Sequence, residues 1–121
     1  MGYTYQREIP IYLQLIELMK RRIISGSYRA GDRLPSIRDM ALEYEVTPNT
    51  IQRALAVFEQ EGIILTERTN GKYITSDLQR LEKMRAEHLQ RSMRALVAEL
   101  TDSGYSREEL RRVFEKEVNG E

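Results

Sequence analysis

Apolar residues recur along this chain with helical period, and polar punctuation divides them into short elements. Tyr12, Leu15, Ile16, Met19 and Ile23 follow Pro10 at steps of three and four, so they share one face of a first helix, which Gly26 stops. The stretch "SYRAGDRLP" reads as an irregular or short extended connector, since Gly31 permits a turn and Pro35 disfavours helix at Leu34. In "SIRD", Ser36 can accept an orphan backbone amide and Asp39 favours the positive end of a helix. A short second helix is expected there, with Ile37, Met40, Ala41 and Tyr44 inward, fading at "EYEV". Thr47 as cap and Pro48 at the first helical position start a third helix over 48–61, buried through Ile51, Ala54, Leu55 and Phe58 and ended by Gly62. "IILT" and "KYIT" are rich in β-branched residues and tyrosine, and between them Asn70-Gly71 suits a tight hairpin turn.

From Leu78 a long charged helix is expected, sparse in apolar residues at first (Leu78, Leu81, Met84) and amphipathic later through Leu89, Met93, Leu96, Val97 and Leu100. "TDSG" breaks it. Ser106 with Glu109 forms a capping box, Tyr105 and Leu110 are spaced as a hydrophobic staple, and Leu110, Val113, Phe114 and Val118 stripe a last short helix. The pattern predicts a mainly α chain with a small β-hairpin: a winged helix-turn-helix over 1–77 and a two-helix tail over 78–121.

Composition narrows the chemistry. A chain of 121 residues with 40% apolar and 31% charged residues is a globular balance for one ordinary domain, or a small one with an appendage. No apolar run approaches a membrane span and "MGYTYQREIP" has no signal core, so a cytoplasmic protein with no membrane partner is expected. The absence of cysteine removes disulfides, thiolate catalysis and Cys-based zinc sites. There is no nucleophile–base set, phosphate loop or metal cluster, so neither enzyme activity, a metal nor a cofactor is expected. Nineteen basic residues balance nineteen acidic ones, ten against ten up to Asp77 and nine against nine after it. Any polyanion binding must therefore come from the arrangement of charges.

Two short helices joined by a tight turn, the second opening on hydrogen-bonding side chains, form a helix-turn-helix, and the hairpin over 63–75 adds a wing. The buried stripe of the third helix leaves Asn49, Thr50, Gln52 and Arg53 on its free side. Asn and Gln can pair with adenine, and Arg with guanine or phosphate. Arg38 on the preceding helix, with Arg68, Asn70 and Lys72 on the hairpin, is placed to meet phosphates or the minor groove.

At these residues the chain resembles the winged helix-turn-helix of GntR-family bacterial transcription regulators, over about residues 10–75. "PIYLQ", "IxSGxYxxGDxLPSxRxxA", "VxxxTxxxALxxFxxxGI" and the wing fall in the family's order and spacing. The short tail is similar to that of the YtrA-like branch. The resemblance implies DNA contacts from Arg38, Thr47, Asn49, Thr50 and Gln52, and from Asn70 and Gly71 at the wing tip. It implies a repressor acting on neighbouring transporter genes, with a tail too short for the larger effector domains of other subfamilies, so that a small-molecule effector would need a small pocket between the last helix and the DNA-binding domain. The chain departs from the pattern at Pro48 and Gln52, where many members carry arginine, and Arg53 is an extra basic choice. The family's wing reads like "RxGxGxFV" and this one "RTNGKYI", with Thr69 replacing a glycine, which predicts a stiffer or shallower wing.

Blander readings stand beside these. The front of the third helix could be a solvated face, Arg38 an ion pair with Asp39 or Glu43, and Arg68 and Lys72 a charged strand edge that discourages pairing. His88 reads as a surface or packing residue, Met19, Met40, Met84 and Met93 as core, and the acidic pairs near the end as solvated helix ion pairs. The tail alone buries little, so its apolar residues Leu89, Met93, Leu96, Val97, Leu100, Leu110, Val113, Phe114 and Val118 are expected to form a homodimer interface. The expected function is a homodimeric regulator reading a palindromic double-stranded DNA operator. The alternative is a winged-helix protein-interaction module without DNA readout, which neutral charge favours.

Overall fold

A computed structural model of the chain describes residues 2–121. Its elements are α1 (Ile11–Ser25), α2 (Ile37–Tyr44), α3 (Pro48–Gln60), strands β1 (Ile64–Glu67) and β2 (Gly71–Ile74), α4 (Leu78–Asp102) and α5 (Arg107–Asn119). The punctuation acts locally as its chemistry requires. Gly26 closes α1 in the left-handed region, Ser36 accepts the Asp39 amide at 3.0 Å, and Thr47 accepts the Thr50 amide at 3.2 Å ahead of Pro48. Glu45, in the turn between α2 and α3, takes φ 58°, a conformation that L side chains rarely adopt.

The first compact unit runs to Lys83, so its boundary falls inside α4. In it α1 and α2 both pack on α3, and Leu15, Met19, Met40, Tyr44, Ile51, Leu55 and Phe58 lose essentially all contact with solvent. Side-chain bonds brace α1 against α2. Arg22 Nη1 donates to Glu43 Oε2 at 2.7 Å and to the Tyr44 hydroxyl at 2.8 Å, and the Tyr28 and Tyr44 hydroxyls lie 2.7 Å apart. Burial pushes both tyrosines above their ordinary range.

The wing departs from the expected turn. β1 and β2 pair antiparallel with Glu67 opposite Gly71, so Arg68, Thr69 and Asn70 form a three-residue loop. Asn70-Gly71 is not the centre of a two-residue turn: only Gly71, with φ 89°, is left-handed, and it closes the loop as the first residue of β2. The connector is extended and lines the other edge of β2. The Leu34 amide donates to the Lys72 carbonyl at 2.8 Å and the Ile74 amide to the Asp32 carbonyl at 2.8 Å. Arg33 thereby pairs with Tyr73 in an isolated bridge. At the start of α4 the Arg80 amide bonds Asp77, and Arg80 Nε donates to the Glu61 carbonyl at 2.8 Å, tying α4 to the end of α3.

The second unit, from Met84, holds the rest of α4 and α5. Its capping box is formed in both directions, with the Ser106 amide bonding Glu109 Oε1 and the Glu109 amide bonding Ser106 Oγ, each at 3.1 Å. The Ser106 amide, helped by its hydroxyl, holds the Glu109 carboxyl below the ordinary carboxylate range. Leu110 is buried, while Val97, Leu100 and Phe114 are half-buried. Leu89, Met93, Leu96, Val113 and Val118 face solvent, with Leu89 64% and Val118 85% exposed. Met19, Met40 and Met84 are core as expected; Met93, on the α4 stripe, is 44% exposed, because helical spacing marks an apolar face without supplying a neighbour to cover it.

Candidate nucleic-acid interface

The buried stripe of α3 fixes its rotation, and the first two turns of the opposite face carry the polar residues. Asn49 and Gln52 are exposed, and neither side chain has a partner among the described residues. Thr47 and Thr50 are engaged with each other: besides the capping bond, their hydroxyl oxygens lie 2.9 Å apart, and Thr50 is half-buried. Of this set, Asn49 and Gln52 have the freer hydrogen-bonding groups, whereas the Thr47–Thr50 pair shapes the helix start.

The basic residues separate into paired and unpaired groups. Arg38 is exposed and pairs with neither Asp39 nor Glu43, since Glu43 is taken by Arg22. Arg68 and Asn70 are exposed on the wing loop. Lys72 is held differently. Its Nζ donates to Glu59 Oε1 at 3.0 Å and to Thr66 Oγ1 at 2.9 Å, and Thr66 Oγ1 donates to Glu59 Oε2 at 2.5 Å. This triangle clasps the wing to the last turn of α3. Burial alone pushes the Glu59 carboxyl up, but the Thr66 hydroxyl and the Lys72 ammonium outweigh it and hold it below the ordinary range. Lys72 is therefore already neutralised, and it is no edge charge, because the connector covers the outer side of β2.

Arg53 is exposed, yet its guanidinium carbon lies 4.0 Å from the centre of the Tyr12 ring on α1. Arg33 is absent from the expected set of contacts. The connector's pairing with β2 sets its guanidinium beside Gly71, where an added methyl would meet Nε at 3.5 Å. That is ordinary contact distance, so the backbone conformation, not lack of space, selects glycine at 71. Nothing local in "GDRLP" signals this position for Arg33, because it depends on pairing with residues about forty positions later.

Arg33, Pro35, Ser36, Gly71 and Lys72 line a groove of about 430 Å³ between the start of α2 and the wing. The amides of the α2 N-terminus add positive potential there. Arg33, Arg38, Arg53 and Arg68 all reach solvent with no carboxylate at ion-pair distance among the described residues, although the chain as a whole is neutral. No group of residues suited to a metal ion occurs among the described residues.

Residues 11–74 match the family model of bacterial regulatory proteins, gntR family. The chain is 31% identical over 110 residues to the HTH-type transcriptional regulator YhcF of Bacillus subtilis, a match covering 91% of each protein. It is 43% identical over 68 residues to the HTH-type transcriptional repressor YtrA of the same organism, covering 56% of this chain and 52% of that one. Among solved structures, a GntR family transcriptional regulator from Listeria monocytogenes superposes with a TM-score of 0.86 at 35% identity, covering 93% of this chain and 98% of that one. With the winged helix-turn-helix and its exposed polar front, these likenesses identify the chain as a DNA-binding transcription regulator of the gntR family, and not an enzyme.

Proposed function

We propose that the chain is a repressor that works in the cytoplasm as a homodimer on a palindromic operator. In this reading each copy lays the start of α3 into a major groove. Asn49 and Gln52 read base edges there, Thr50 contributes beside them, and Thr47 sets the helix start against the backbone. Arg38, Arg33 and the α2 N-terminus hold the phosphate rail, and Arg68, Asn70 and Gly71 meet the minor groove. Lys72 acts here through the wing's position more than through its own charge. The observation that carries the reading is the pair Asn49 and Gln52, exposed and unpartnered on a helix whose opposite face is fully buried.

Support for the homodimer comes from the tail, whose stripe of Leu89, Met93, Leu96, Val113 and Val118 is exposed among the described residues. Val97, Leu100 and Phe114 border that face, while Leu110 is spent inside. Support for repression comes from the relative YtrA, which is named a repressor. Occupying a promoter is sufficient for that outcome.

Fluorescence-anisotropy titration against the protein's own promoter duplex and a scrambled duplex, at two salt concentrations, tests the reading. Selective binding that weakens steeply with salt is expected. Arg38→Ala should weaken both duplexes alike and lower the salt slope by about one, as loss of one phosphate contact does. Equal or absent binding to the two duplexes would favour a winged-helix protein-interaction module instead.

A further inference from the structure

Arg53 stands on the outward side of the recognition helix, yet it is tied to a different helix. The Tyr12 ring comes from the first turn of α1 and is half-buried, so it is itself anchored. With the guanidinium carbon 4.0 Å above the ring centre, one face of the cation is occupied. Its edge is not: no hydrogen bond or ion pair among the described residues uses the Arg53 N–H groups. A guanidinium stacked this way keeps its charge and presents its donors in a fixed plane, which suits the oxygens of a phosphate. Reading a guanine edge instead requires the side chain to extend from α3 into the groove, which would break the stack.

We infer that Tyr12 is a positioning residue for DNA binding, a platform that holds Arg53 as a clamp on a backbone phosphate and so removes it from base reading. The inference rests on the reading of α3 as the DNA-facing helix. It assigns different work to neighbouring residues: Gln52 discriminates sequence and Arg53 supplies affinity. Ordering the long arginine side chain before DNA arrives lowers the entropy lost on binding, so the platform strengthens a contact that it does not itself make.

The wild-type protein is first used to select a duplex from a random-sequence pool. Wild type, Arg53→Ala, Tyr12→Leu, Tyr12→Phe and the Tyr12→Leu/Arg53→Ala double variant are then titrated against that duplex and its single-base variants over a range of salt. Arg53→Ala is expected to weaken every duplex by a similar factor, roughly tenfold, and to lower the salt slope by about one. Tyr12→Leu should weaken binding about threefold, Tyr12→Phe should restore it, and Tyr12→Leu should add nothing once Arg53 is alanine. NMR of the free protein reads the platform directly: the Arg53 δ-protons should be shifted upfield by the ring in wild type and Tyr12→Phe, and not in Tyr12→Leu. A change of base preference in Arg53→Ala overturns the inference. So does a Tyr12→Leu protein that has lost the ring shift but binds as wild type, or one whose loss is equally large without Arg53. Failure of the wild type to select any sequence overturns the DNA reading itself, and this inference with it.

Discussion

Phe58 is 0% exposed, one of the largest fully buried side chains, and it lies on the face of α3 opposite Asn49. Truncating it leaves a cavity that close-packed neighbours fill only in part. Phe58→Ala should destabilise the protein by about 3–5 kcal/mol, read as a lower midpoint in denaturant unfolding at unchanged slope. An unshifted midpoint would contradict the packing of α3. The same stripe made the polar front legible from sequence, because Ile51, Ala54, Leu55 and Phe58 fix the phase of the helix and so fix where Asn49 and Gln52 point. Lys72 and Arg53 were not legible in that way. Where a long flexible cation ends depends on its partner, and those partners, Glu59 and Tyr12, lie on other elements.

At the scale of elements, the wing is oriented by the clasp of Glu59, Thr66 and Lys72 and by the connector along β2. The strands were visible as β-branched runs, but the loop length was not: Asn70-Gly71 fits a two-residue turn locally, and only the register of Glu67 against Gly71 selects the three-residue loop. The clasp carries a pH dependence. The Glu59 carboxyl is held below its ordinary value of 4.5 in the folded protein, so its contribution is fully present above that value and is lost as pH falls through the folded-state value. Glu59→Gln keeps an acceptor for the Thr66 hydroxyl and removes only the charge. At neutral pH it should destabilise by no more than about 1 kcal/mol, a small figure because Glu59 and Lys72 remain 32% and 23% exposed and water screens the pair. The stability difference between wild type and Glu59→Gln should vanish as the solution is acidified below 4.5, measured by urea unfolding across pH. A difference that persists unchanged in acid would mean that the clasp acts through shape and not charge.

The whole molecule has no net charge to draw it to a polyanion, so in the proposed reading affinity comes from a few unpaired arginines, used twice by a dimer. The tail stripe was legible as amphipathic, but helical spacing alone does not separate Leu110, which is buried, from Met93 and Leu96, which are exposed. That distinction gives a sharper experiment than truncating the tail. Met93→Glu with Leu96→Glu places two charges on the open stripe while leaving Leu110 and the capping box intact. If a second copy covers the stripe, its apolar burial is replaced by desolvated carboxylates, and the variant should sediment as a folded monomer at micromolar concentration. The helical signal in circular dichroism should stay near that of the wild type. Operator affinity should fall by roughly a hundredfold or more, because the second half-site is then met from bulk solution and not at the effective concentration a dimer provides. Binding to a single half-site should change little. A variant that remains dimeric places the contact elsewhere, and a monomer that binds the full operator as wild type does would show that each winged helix carries enough affinity alone.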